Sequence, residues 1–134
     1  MISLNDAVGH YVNYTSRIAA LWTVFVAATF AAAGFNGIAS SNFSPFSRAF
    51  LSVGYIAFSC GHWILLRQTI LISQTMAREI GAWLADGEST KFRDSVRAII
   101  SHNSNLAYSL GTHLVIDACV LLIIWQRPLA ALLR

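Results

Sequence analysis

Leu106–Trp125 reads LAYSLGTHLVIDACVLLIIW, and this stretch decides the class of the protein. It matches the roughly 20 mostly apolar residues that a helix needs to cross a bilayer core. Asp117 is its one charged residue, and Arg127 and Pro128 follow it closely. Two further windows read the same way. Residues 18–39 follow Arg17 and carry no charge, and residues 49–66 lie between Arg48 and Arg67.

The composition agrees. Of 134 residues, 56% are hydrophobic and 11% are charged, against about 25% charged for an ordinary soluble domain. Disorder, collagen-like repeats and a disulfide scaffold are excluded by the same figures. The two cysteines, Cys60 and Cys119, sit in apolar stretches and read as reduced packing residues. The net charge of +3 reports membrane topology rather than nucleic-acid binding. The expected fold is a single all-α integral membrane domain with three transmembrane helices, whose first partner is the lipid bilayer.

A secretory signal is the competing reading of the first window. Ala31, Ala32 and Ala33 offer a small-residue cleavage site. The 17-residue polar leader, with Asp6 and a single basic residue at Arg17, argues for a retained helix. Aromatic residues fall near the span ends as interfacial anchors: Trp22, Trp63 and Tyr108 near one face, Phe43, Phe46 and Trp125 near the other.

Lys and Arg set the orientation. Arg17, Arg67, Arg78, Lys91, Arg93 and Arg97 share one side, and Arg48, Arg127 and Arg134 the other. The bias predicts a cytoplasmic N-terminus and an external C-terminus. A bacterial inner membrane is the default location.

Residues 67–105 are expected to form an antiparallel cytoplasmic hairpin. Met76, Ile80, Trp83 and Leu84 recur at helical spacing, as do Phe92, Val96, Ile99 and Ile100. Asp86-Gly87-Glu88-Ser89-Thr90 supplies the turn and a cap. Neither arm is separated from its span by Pro or Gly, so spans two and three read as single long helices. Residues 1–17 form an amphipathic helix with Leu4, Val8, Tyr11 and Val12 on one stripe and a Ser3–Asp6 capping pair. That stripe is expected to pack on the hairpin rather than to lie flat on the membrane. The connection from Asn36 to Arg48 is left as the one real loop.

Polar groups inside the spans carry the functional expectation. A carboxylate near mid-membrane costs several kcal/mol unless protonated, paired or hydrated. Asn105, Ser109, His113 and Asp117 recur four apart, and Ser52, Tyr55, Ser59 and His62 make a matching stripe on span two. In an antiparallel pair His62 and His113 fall at similar depth. The bland interpretation is interhelical hydrogen bonding. The functional one is a polar path on which Asp117, His113, His62, Ser109, Ser59 and Tyr55 handle protons or cations.

Haem b is a weaker alternative, with His62 and His113 as ligands and Gly61 and Gly111 giving a flat ring room. His113-Leu-Val-Ile-Asp117 resembles the short His-x-x-x-Asp stretch in membrane anchors of succinate dehydrogenases, although Thr112 stands where those anchors carry arginine. Arg97 and His102 keep the Arg-x-x-x-x-His spacing of HEPN ribonucleases, a spacing that basic amphipathic helices produce without catalysis. No metal-site spacing and no catalytic motif stands out. Ala27, Ala28, Ala31, Ala32 and Gly34 give span one a small-residue face for close helix packing.

The expectation is therefore a small, non-enzymatic membrane protein. It acts as a homo-oligomeric channel, pore or ion- or proton-translocating component. The alternative is an accessory subunit that docks on other membrane subunits of a larger energy-transducing or transport complex.

Overall fold

The computed structural model describes residues 3–38, 44–85 and 91–132. All regular structure among them is helical, in four elements, and three apolar segments are long enough to cross a membrane.

Local chemistry sets the helix starts. In front of α1 (Leu4–Ile38), the Ser3 backbone N–H and hydroxyl donate to Asp6 Oδ2 at 3.2 and 2.7 Å. The Asp6 N–H donates back to Ser3 Oγ at 3.2 Å. This reciprocal box satisfies donors that a first helical turn leaves free. These bonds hold the Asp6 carboxyl below its ordinary pKa. In α2 (Pro45–Ala85), Ser44 Oγ accepts from the Ser47 N–H at 3.1 Å, and Pro45 takes the first helical position.

Two boundaries differ from the sequence expectation. Within the supposed loop over 36–48, residues 36–38 and 45–48 are helical, because α1 runs on to Ile38 and the Ser44–Pro45 start signal opens α2 before Arg48, while residues 39–43 lie outside the described residues. The third span is not continuous with the hairpin either. α3 (Lys91–Ser101) ends, and α4 (Leu106–Leu132) begins afresh at Asn105. The Asn105 Oδ1 accepts from the Ala107 and Tyr108 N–H groups at 2.9 and 3.2 Å. Asn and Ser compete with helical backbone bonding, so Asn103-Ser104-Asn105 breaks a helix without Pro or Gly. The break is fastened to α2. Gln74 Nε2 donates to the Ser104 carbonyl at 2.8 Å, and buried Ser73 Oγ reaches Asn103 Oδ1 at 3.2 Å. The proposed turn over 86–90, like Phe43, lies outside the described residues.

One seam organises the bundle. The buried positions of α2 are Arg48, Ser52, Tyr55, Ser59, His62, Leu66, Ile70, Ser73, Ala77, Ile80 and Leu84. Steps of four and three alternate, as in left-handed helix packing, with one extra step of four between Leu66 and Ile70. On α1, buried Tyr11, Ile18 and Phe25 stand seven apart, and α4 contributes Ser109, His113, Val120 and Ile124.

At about 1.5 Å per residue, α2 is about 60 Å long, twice a bilayer's hydrocarbon thickness. The bundle thus has two storeys. In the storey carrying α3, Tyr11 packs among Ala77, Ile80, Leu84 and Val96, with Leu4, Ala7 and Val8 against them. The N-terminal stripe therefore docks on the hairpin arms instead of lying free. Val12, Trp83, Phe92 and Ile99 of the expected stripes remain exposed. In the apolar storey Phe30, Phe50, Val53, Val115 and Leu122 point outward, an arrangement suited to a hydrocarbon solvent.

Candidate functional site

The site lies where the seam of α2 meets α1 and α4. Asp117 Oδ1 accepts the Tyr55 hydroxyl at 2.8 Å, and Oδ2 accepts the Ser59 hydroxyl at 2.6 Å. The carboxylate also meets His113 Nδ1 one helical turn away, at 2.8 Å from Oδ2. His113 Nε2 in turn lies 3.1 Å from His62 Nδ1, and His62 Nε2 lies 2.9 Å from the Leu21 carbonyl oxygen. Both histidines are nearly sealed, at 2% and 5% exposure.

The proton inventory follows from the partners. The Leu21 carbonyl can only accept, so His62 Nε2 carries a hydrogen. With Nδ1 as the acceptor of a neutral His62, His113 Nε2 must donate to it. The remaining contact, His113 to Asp117, needs one more proton, on either the ring or the carboxyl. Three contacts thus hold three protons, and the group of Asp117, His113 and His62 carries no net charge. This is how the fold carries an ionisable residue at that depth, where an unpaired charge is costly.

Aromatic rings close the cluster. Phe25 is fully buried and stacks on His113 at 3.9 Å and on His62 at 5.0 Å between ring centroids. Trp63 stands edge-on to His113 at 5.7 Å, and Trp22 is tilted at 6.2 Å. Trp22 and Trp63 thus turn into the bundle and serve as packing residues as well as any anchoring role. At the other end Trp125 Nε1 donates to Ser52 Oγ at 3.0 Å. Phe46 and Tyr108 are exposed.

Of the expected path residues, the structure brings Tyr55, Ser59, His62, His113 and Asp117 into one bonded network. Ser109 is buried on the same seam but stands apart from these bonds. The network faces the interior of a single protomer. Both nitrogens of each imidazole are engaged within it, so haem ligation would require a bond to be released at each histidine. Among the described residues, no group of three or more His, Cys, Asp or Glu side chains is arranged to hold a metal ion.

Two residues escaped the sequence reading. Phe25 was legible only through its seven-residue spacing from Ile18 and Tyr11. Arg48 was placed at a loop boundary, yet it is 5% exposed and donates through a terminal guanidinium nitrogen to the Ile124 carbonyl at 2.8 Å. That carbonyl lacks its ordinary helical donor, because the residue four positions on is Pro128, which has no N–H. Pro128 was the signal, but it names no partner.

A groove of about 710 Å³ opens between α1 and α2 on the outer surface, where Ala28, Ala31, Ala32 and Gly54 face Phe46 and Phe50. The small-residue face of span one forms one wall of this groove. Comparison with known proteins returns no match: no family model, no curated protein and no solved structure resembles this chain.

Proposed function

We propose that this protein is a small membrane component that takes up and releases one proton at the Asp117–His113–His62 relay, within an ion- or proton-translocating system. The observation that carries this reading is the unbroken series of contacts Asp117–His113–His62–Leu21 carbonyl, each at hydrogen-bonding distance. A structural polar cluster needs only matched donors and acceptors. This one also places two imidazoles and a carboxylate in series, the groups best suited to exchanging a proton. Because the chain ends on a backbone carbonyl and is covered by Phe25, transfer across the membrane requires the helices to move. The relay therefore suits a gated proton step better than a standing pore. Clustered Lys and Arg in the α2–α3 storey support a cytoplasmic N-terminus, and a bacterial inner membrane remains the working location.

Asp117→Asn tests this directly. The amide can donate to His113 Nδ1 and accept from Tyr55, so the fold is retained while the titratable proton is lost. In proteoliposomes with a pH-sensitive dye and an imposed potential, the wild type should carry proton flux above empty liposomes and Asp117→Asn should not. Wild-type flux equal to background, or unchanged flux in the variant, counts against the reading.

A second reading is an accessory subunit of a larger membrane complex. The groove lined by Ala28, Ala31, Ala32 and Gly54 favours it, since small residues admit a close-packed partner helix. Purification in mild detergent with mass determination decides: a pure homo-oligomer would remove this idea. A recorded spectrum from the same sample tests haem b, whose Soret band should then be present.

A further inference from the structure

A second concavity lies away from the histidine cluster, where α2 meets the α3–α4 break. It encloses about 950 Å³. Arg78 and Gln74 of α2, Arg97 of α3 and Asn103 of the break line it, with Leu71 and Leu106 toward the apolar storey. From Leu71 to Arg78 is seven residues, about 10 Å along the helix. The groove thus grades from apolar to cationic over a distance comparable to the headgroup layer of a bilayer leaflet, roughly 5–7 Å.

The arginines retain free donors. Arg97 gives one nitrogen to the Leu84 carbonyl at 2.9 Å and the other to Asp94 Oδ1 at 3.2 Å. Arg78 gives one to Thr75 Oγ1 at 3.2 Å. A guanidinium has five N–H groups in a fork that matches phosphate oxygens, so both side chains keep capacity. Asp94 is the acidic side chain paired with this group. The pair is exposed, at 45% and 59%, and so only weakly offsets the positive charge of Arg97.

We propose that this groove seats the headgroup of an anionic phospholipid from the adjacent leaflet. Its phosphodiester lies against Arg78 and Arg97, and its acyl chains leave past Leu71 and Leu106. Charge complementarity and the apolar exit together select this ligand: a soluble phosphate would use the arginines alone, and a zwitterionic lipid would bring its own cation to them. Basic pockets between helices at a membrane face recognise anionic headgroups in this way.

The test is lipid binding to the purified full chain in mild detergent, read by native mass spectrometry and by thermal stability. Phosphatidylglycerol should bind at least tenfold more tightly than phosphatidylcholine, and glycerol 3-phosphate at equal phosphate concentration should not compete. Arg78→Gln should bring phosphatidylglycerol down to the phosphatidylcholine level. Arg17→Gln should leave it unchanged, since Arg17 lines a different groove with Val24 and Leu65. Equal binding of the two lipids overturns the proposal. So does an equal loss in Arg17→Gln, which would show diffuse charge attraction, or full competition by glycerol 3-phosphate, which would show a small-anion site. If Arg78→Gln fails to fold, Arg97→Gln reads the same groove and should likewise lose the preference for phosphatidylglycerol.

Discussion

His62 and His113 stand 51 positions apart in the chain and meet ring to ring, Nδ1 to Nε2, at 3.1 Å. The contact joins α2 to α4 at one depth, and it is possible only because each ring spends its second nitrogen elsewhere, on Leu21 and on Asp117. Three helices are thereby tied through two imidazoles: the backbone of α1, His62 of α2 and two successive turns of α4.

Replacing Asp117 should separate the charge from the bonds. Asp117→Ala strands the Tyr55 and Ser59 hydroxyls and one nitrogen of His113. At about 0.6 kcal/mol for each membrane hydrogen bond, the loss is about 2 kcal/mol. Asp117→Asn should cost less than half of that. Reversible unfolding by denaturing detergent measures both, and equal losses would show that charge, not hydrogen bonding, holds the site together.

Phe25→Ala should destabilise the bundle by about 3 kcal/mol, the usual scale for emptying a buried aromatic site. It should also admit water to the imidazoles. Hydrogen–deuterium exchange of the histidine ring N–H groups, followed by NMR, should be faster in the variant. Unchanged exchange would show that Phe25 is not the seal.

Arg48 and Pro128 should be energetically coupled. Arg48→Met leaves the Ile124 carbonyl without a donor and should cost about 2 kcal/mol, as expected for a charged hydrogen bond. In a Pro128→Ala background the new backbone N–H can fill that carbonyl, so the same change should cost markedly less. A double-mutant cycle reads the coupling, and additive losses would refute it.

The Asn105 cap should be worth about 1 kcal/mol, so Asn105→Ala should lower stability by that amount while Asn105→Asp retains it. Amide exchange in the first turn of α4 should rise in the alanine variant and not in the aspartate one.

The start of α1 should depend on pH. Asp6 is held below its ordinary pKa by its bonds to Ser3, so its stabilisation is present above the unfolded value and lost as pH falls through the lowered one. Carboxyl-carbon NMR should place the Asp6 midpoint below that of Ser3→Ala. Amide protection of the first turn should fall over the same acidic range.

Much of the architecture was legible in the chain. Three apolar windows, the caps at Ser3 and the two polar stripes follow from composition and spacing, which are local properties. The inward contacts of Trp22, Trp63 and Arg48 were not legible for one reason: a residue near a span end can face either the interface or the interior, and spacing does not choose. The Asn103–Asn105 break was passed over because no Pro or Gly marks it, although its side chains cap as effectively.

The sequence by itself determined that the protein is helical, that it suits a bilayer, and that Asp117 needs partners at its depth. Only the tertiary structure decided which partners. Hydrogen bonds between residues 51 to 62 positions apart depend on the rotation and register of packed helices, and those are set by the whole seam from Arg48 to Leu84 rather than by any local signal. The neutral three-proton inventory of Asp117, His113 and His62 exists only once that seam has closed.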